Sequence, residues 1–317
     1  IILISVNGLS HFWPAELMEA ELNSDSGVST IIGEIKEIES VSRLDEHNRE
    51  FSDNQILIKI GNRDHNRLDF VWVSESRFND IQYPQELLTV ERREWGNLYG
   101  RLEGLYEHDK PIAQGTLLFE ILQQRLKRSN QLVEQIENIE KNKIGRINYQ
   151  LEKLRLQQKK LEMESQLTAH IQAEYQGQQQ NLERQYEHLQ ARLLVLNRQL
   201  GRDSAVFQLS DRNNGHENNG HENTDHESND HEQKVTIPLS AIFQVDQPNA
   251  MTVLQKLEHY FKQLWRFVSD DPREANTEGG VFPAIFGTVI LVIMMSIIVT
   301  PLGVIAGIYL HEYANQG

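Results

Sequence analysis

The densest set of potential metal ligands lies in four consecutive pentapeptides, NNGHE, NNGHE, NTDHE and SNDHE, over residues 213–232. They carry His216, His221, His226 and His231, each followed by a glutamate. Imidazole with carboxylate can hold zinc, nickel or copper. A five-residue spacing in a segment with no apolar side chain does not preorganise a coordination shell. The repeat therefore reads as a disordered, solvated linker with incidental metal affinity. A second polar cluster, Glu91-Arg92-Arg93-Glu94-Trp95, closes an expected strand; clusters of that kind are usually solvated. Gly61-Asn62-Arg63-Asp64 reads as turn chemistry. The sequence contains no glycine-rich phosphate loop, GxSxG elbow or HExxH pattern. It also contains no cysteine, which removes thiolate and disulfide chemistry. No enzyme active site and no cofactor are expected.

The strongest element is residues 281–310, a run without one formal charge. A helix crosses a bilayer core with about 20 apolar residues, and a helix satisfies its own backbone in hydrocarbon. A transmembrane helix is expected here, with a buried core helix as the competing reading. Within it Pro283 and Pro301 are candidate kink positions. Gly303 and Gly307, four residues apart, form a small-residue face for close packing against other membrane helices. Tyr309 and Glu312 mark one membrane edge, where a carboxylate is cheap. Trp13 marks another, because residues 1–14 begin apolar and run into Phe12-Trp13-Pro14. Residues 1–6 read either as the end of a truncated first span or as an ordinary buried strand. Both chain ends are expected to be cuts through a larger protein.

Between these ends the chain is aqueous. Its mean hydropathy is −0.52. Its 31 basic and 46 acidic residues give a net charge of −15, which argues against a nucleic-acid partner. Residues 15–114 read as a β-rich domain. Ile56, Ile58 and Ile60 alternate with Leu57 and Lys59, and Leu68, Phe70 and Trp72 alternate again, as in a hairpin with a long loop. Residues 31–41 and 87–102 are further strands, with Gly96, Gly100 and Gly104 as breaks or bulges. Residues 235–239 are expected to return to the sheet, Pro238 placing them at an edge.

Residues 115–200 read as coiled-coil helices. Leu182, Tyr186, Leu189, Leu193, Leu196 and Leu200 follow alternating steps of four and three, a heptad seam. The same register reaches back to Leu161, Leu154, Leu151 and Ile147. The seam is polar at Gln158, Ser165, Thr168, Gln172 and Gln179, so the stripe drifts. A helical hairpin with arms of roughly 60 Å returns the chain to the sheet. Equal arms put its turn at residues 157–160; Gly145 and Gly177 are the alternative breaks. Residues 201–234 read as linker, 235–280 as return strand and juxtamembrane amphipathic helix, and 311–317 as the start of a cytoplasmic loop. Asn249 can cap that helix, whose Leu254, Leu257, Phe261, Leu264 and Val268 share a face. The helix either lies in the membrane interface or packs on the β-domain. The fold class expected is an α+β membrane-protein fragment: a small β-rich extracytoplasmic domain, a coiled-coil hairpin insertion and a C-terminal transmembrane helix.

EGGVFPAIFGTV at 278–289 and TPLGVIAGIYLHEYA at 300–314 resemble the second transmembrane helix, with the loop entry after it, of bacterial phosphate-specific ABC transporter permeases of the PstA type. PNAM at 248–251 and SDDPREANTEGG at 269–280 resemble the segment before that helix in members with a large loop. GLSHFWP at 8–14 looks like the exit of the first transmembrane helix, and GNRD at 61–64 and ERREW at 91–95 fit the same loop. The C-terminal likeness covers roughly 70 residues; the coiled coil and the His-Glu repeat match none of its motifs. The resemblance implies a non-enzymatic subunit of a phosphate importer in the bacterial inner membrane, multi-pass at full length, with residues 15–280 periplasmic. It implies as partners a second permease subunit, a cytoplasmic ATPase subunit and a periplasmic phosphate-binding protein, besides membrane lipid. A different class, a membrane-anchored coiled-coil sensor or adaptor with a β-rich periplasmic head, is the alternative.

Overall fold

Strand periodicity over the first third of the chain resolves into more sheet than a single domain requires. The structure, a computed structural model, describes residues 11–24, 27–44, 50–61, 68–113, 115, 117–210, 233–270 and 280–312. These fall into two compact units, one built from Leu17–Arg92 and Asn97–Asn249, the other from the N-terminal segment up to Glu16, Arg93–Gly96 and the chain from Ala250 onward. The described fold is mixed α and β, with two antiparallel sheets and one long apolar helix near the C-terminus.

The first sheet contains β1 (Leu17–Ser24), β2 (Gly27–Leu44), β3 (Glu50–Lys59), β4 (Phe70–Ser74) and β5 (Phe78–Gln82) in the order β4-β3-β2-β1-β5. The alternation of Ile56, Ile58 and Ile60 places these side chains inside. They meet Met18, Ala20, Leu22, Ile31 and Val73 in one cluster, against which Phe78 and Ile81 pack. Both edge strands feed this core, so the sheet curls around its own apolar face. The expected hairpin is present as the antiparallel β3–β4 pair, with Leu57 opposite Trp72.

The second sheet repeats the plan. It contains β6 (Leu88–Arg92), β7 (Asn97–Glu107), β9 (Asp203–Leu209), β10 (Gln233–Pro238) and β11 (Ile242–Asp246) in the order β10-β9-β7-β6-β11, with β8 (Lys110–Ala113) paired to β7. In each sheet a meander of four strands is followed by a fifth that returns beside the first. A single 3₁₀ turn precedes that fifth strand each time, Glu75–Arg77 in one and Leu239–Ala241 in the other. The two sheets are thus two copies of one topology, the second interrupted by the helices. Gly100 is a required glycine, since a Cβ there would lie 2.3 Å from the Gln208 carbonyl oxygen across the β7–β9 pair. Gly104 marks a register shift, as its break in the strand pattern suggested.

Three differences from the sequence reading concern strands. β9 lies inside the stretch assigned to the linker, yet its side chains alternate strictly between buried and half-buried; composition over a long window hid a period-two signal seven residues long. The His-Glu repeat itself lies outside the described residues. The return strand is the edge strand β10, with Pro238 at its end as expected, but it joins the second sheet and not the first. Glu91 and Arg92 are not solvated: they are 6% and 4% exposed, because β6 is flanked by β7 and β11.

Polar side chains tie the sheets together. The Ser210 hydroxyl accepts from the Ile32 amide at 2.8 Å. Asn249 does not cap a helix. Its amide accepts from the Leu17 N–H at 2.8 Å and donates to the Leu17 and Pro84 carbonyls at 2.7 and 2.8 Å. Arg101 forms a bidentate pair with Glu19; that carboxylate raises the arginine pKa further above its already high value, against the effect of burial.

The helical hairpin grows out of the second core. α1 (Leu118–Glu137) inserts Leu118, Leu122 and Leu126 among Phe207, Leu209, Leu239 and Val245. Asp203, whose side chain is 8% exposed, sits 3.1 Å from Arg125 and 3.3 Å from Arg202, fixing both roots of the hairpin to the sheet. A π-helical stretch, Asn138–Ile144, joins α1 to α2 (Gly145–Met163). Its cause is legible: Ile139 and Ile147 are both buried on the seam but stand one residue further apart than a heptad, and a π turn absorbs the extra residue. The returning arm is α3 (Ala169–Leu200). Leu132, Ile136, Ile139 and Leu196 pack with Leu189, Leu193 and Leu200, so the heptad reading of the near half is the observed seam.

The turn falls at none of the expected places. Gly145 and Gly177 are both helical, and equal arms would put it four residues too early. The chain reverses after Met163 through a Schellman closure: the Gln166 amide donates to the Leu161 carbonyl at 2.9 Å and the Ser165 amide to that of Glu162 at 3.1 Å. Ser165 takes the left-handed conformation (φ 55°) usual for glycine there. Thr168 then caps α3. The first arm is the longer because its initial turns belong to the sheet core. Ser165→Gly is expected to stabilise the hairpin by about 0.5–1 kcal/mol; a thermal melt followed by helical circular dichroism checks it.

Candidate functional site

α5 (Phe282–Glu312) contains every candidate site residue except Trp13. Its residues contain no formal charge until Glu312, the last of the helix. Over Phe282–His311 it is long and apolar enough to cross a membrane, with none of its most apolar window buried inside the fold. A core helix of a soluble protein would be covered. Here Val292, Ile297 and Ile305 are 61%, 66% and 63% exposed on different sides of the helix.

The polar groups of α5 are handled as hydrocarbon would demand. The Thr288 hydroxyl donates to the Ile285 carbonyl and the Ser296 hydroxyl to the Val292 carbonyl, both at 2.8 Å, within the same helix. Pro283 is the second residue of the helix, where an amide hydrogen would have no intrahelical acceptor. Pro301 lies well inside, so the Ile297 carbonyl loses its usual donor, yet the helix continues through it. A Cβ built at Gly303 or Gly307 would meet nothing within 4 Å. The two glycines, four apart, therefore leave one side of the helix open to a close neighbour. Tyr309, two residues after Gly307 and so on the opposite side of the helix, is 62% exposed. Pro301 points away from the glycine side, so kink and groove occupy different faces of one helix.

Trp13 stands apart from α5. It belongs to the segment before β1 and packs against α4 (Val253–Ser269), its ring centroid 6.3 Å from that of Tyr260. Phe12 lies 5.1 Å from Phe267 and 6.5 Å from Tyr260. Sequence reading placed Trp13 at a membrane edge but did not connect it to these rings, which are some 250 residues away along the chain. α4 begins with a reciprocal capping box between Thr252 and Gln255. The Thr-x-x-Gln pattern was legible at residues 252–255, where Asn249 had been expected to cap.

No family model matches this chain, and neither a curated protein sequence nor a solved structure does.

Among the described residues no group of three or more His, Asp or Glu side chains could hold a metal ion. A cleft of about 720 Å³ opens between the hairpin arms beside the π-helical stretch, lined by Lys143, Arg146, Arg184 and His188 and by no carboxylate. A second of about 390 Å³ adds Arg192. In a chain of net charge −15 this is a local reversal of sign.

Proposed function

We propose that the chain is a membrane-spanning permease subunit of an ATP-driven inorganic phosphate importer. The observation that carries this reading is α5: a continuous, uncovered apolar helix interrupted by Pro301 and opened on one side by Gly303 and Gly307. Such a helix is built to pack against others, and a lone anchor needs neither device. The PstA-type resemblance covers the same residues and supplies the cargo. In this reading the helix belongs to the inner membrane of a bacterium, in a multi-pass protein whose other spans lie outside these 317 residues. The two sheets and the hairpin form the periplasmic loop, residues 15–280, and Glu312 marks the cytoplasmic edge.

Transport would follow from alternating access in a pathway shared with a second permease subunit. ATP hydrolysis belongs to a cytoplasmic partner, and a periplasmic phosphate-binding protein delivers the anion. An acidic domain does not concentrate phosphate, so the periplasmic part docks or scaffolds, and the cation-lined hairpin cleft is the surface suited to an acidic partner. The test is phosphate uptake in cells deleted for the full-length gene and lacking a second importer; unchanged uptake would overturn the proposal. The adaptor reading draws on the single span among the described residues and on the exposed hairpin, and it predicts that unchanged uptake.

The structure also defines how the accessory role of the hairpin is checked. Excising residues 115–232 would remove β9 and α1 from the second core. Replacing residues 148–184 by a short Gly-Ser turn leaves that core and the paired roots intact. Uptake is expected to persist with unchanged membrane levels; its complete loss would contradict an accessory role.

A further inference from the structure

An amphipathic helix beside a membrane span has two choices for its apolar face, and the structure distinguishes them. α4 carries Leu254, Leu257, Phe261, Trp265 and Val268 along one side, at the spacing of a continuous helical stripe. All five are exposed, at 77%, 43%, 60%, 72% and 43%. The opposite side is occupied: Tyr260 meets Phe12 edge to face and Phe267 meets it at a tilt, and Lys256 pairs with Glu16 at 2.8 Å. The internal packing of this unit therefore uses the weaker apolar face and leaves the stronger one exposed apart from Leu264, which is half-buried. The end of α4 is tied to the start of α5, the Val281 amide donating to the Phe267 carbonyl at 2.9 Å. The Gly280 backbone lies so close to Asp270 that a Cβ would stand 1.8 Å from its carbonyl oxygen. The stripe thus ends where the lipid-compatible helix begins.

We propose that α4 lies in the plane of the membrane interface, with Leu254, Leu257, Phe261, Trp265 and Val268 set into the boundary between headgroups and acyl chains. The occupant is the bilayer itself. Trp265 and Phe261 are side chains that collect at this depth. Lys256 and Arg266 are paired with Glu16 and Asp270, and Lys262 stands at the polar border of the stripe, where a lysine suits the headgroup layer. The inference rests on α5 spanning the membrane.

The absence of cysteine allows single nitroxide labels in the full chain. Leu254→Cys, Phe261→Cys, Lys262→Cys and Ile298→Cys are each labelled and reconstituted in vesicles of phosphatidylcholine with phosphatidylglycerol. Collision with oxygen and with a water-soluble nickel chelate is then measured. The label at Ile298 is expected deep in the bilayer. Labels at Leu254 and Phe261 are expected about 5–10 Å into the headgroup and acyl boundary, with an oxygen-to-nickel ratio several-fold above that at Lys262. A deep label at Ile298 with nickel-dominated labels at Leu254 and Phe261 would overturn the proposal. Labels at Leu254 and Phe261 shielded from both reagents would also overturn it, by showing that protein covers the stripe. Nickel access at Ile298 would instead remove the span on which both readings stand.

Discussion

Replacing both Ile293 and Ile297 by arginine is expected to drive the 317-residue chain on its own, in which α5 is the one candidate span among the described residues, out of the membrane fraction. Each arginine at the centre of a spanning helix costs about 2.5–3.5 kcal/mol, and each lost isoleucine about 0.3–0.6 more. Together the two changes cost about 6–8 kcal/mol, more than four orders of magnitude in the insertion equilibrium. The same substitutions decide between lipid and water as the surroundings of α5. Ile293 and Ile297 are 52% and 66% exposed. In water an exposed helical isoleucine can become arginine within about 0.5 kcal/mol. The variant should therefore be lost from carbonate-washed membranes while the unchanged chain is retained. Equal retention would place α5 outside the hydrocarbon.

The second large effect is in the second sheet. Phe207 has no exposed surface and stands at the centre of the core that joins the second sheet to the root of the hairpin. Phe207→Ala should cost about 3–5 kcal/mol, the transfer term plus the cavity left among Leu122, Leu209 and Leu239. The loss should appear as a lowered denaturant midpoint for sheet and helix signals together, because α1 is a wall of that core. A midpoint shift confined to the hairpin would contradict the shared core. Tyr99, also buried, is a less costly site, since it lies in the smaller cluster with Leu17, Ile32 and Leu87 between the sheets.

What could be read from the sequence was local. The uncharged run became one long apolar helix, and the alternation at Ile56–Ile60 and the heptads from Leu182 onward, each of which declares a period, became a strand and a helix. Pro238 foretold an edge. What could not be read was set by pairing across the chain. The duplicated strand order depends on β5 returning to β1 and β11 to β6, and neither return leaves a periodic mark. Asn249 looked like a cap because its residue type favours caps, whereas its three bonds go to backbone groups at Leu17 and Pro84. The hairpin turn escaped because Ser165, not a glycine, takes the left-handed position. Both available glycines lie inside helices, where nothing presses on them. At the candidate site the residues on α5 share one helix, and a long apolar helix is a local property of the sequence. The aromatic contacts that join Phe12 and Trp13 to α4 were not.

A spanning α5 puts its two ends on opposite sides of the membrane. Met163, at the hairpin turn and 72% exposed, and Asn315, just beyond the span, can each be changed to cysteine in this cysteine-free chain. A membrane-impermeant maleimide applied to intact spheroplasts should label the residue at 163 at once and the residue at 315 only after the membrane is opened. Equal labelling of both positions before permeabilisation would contradict the account.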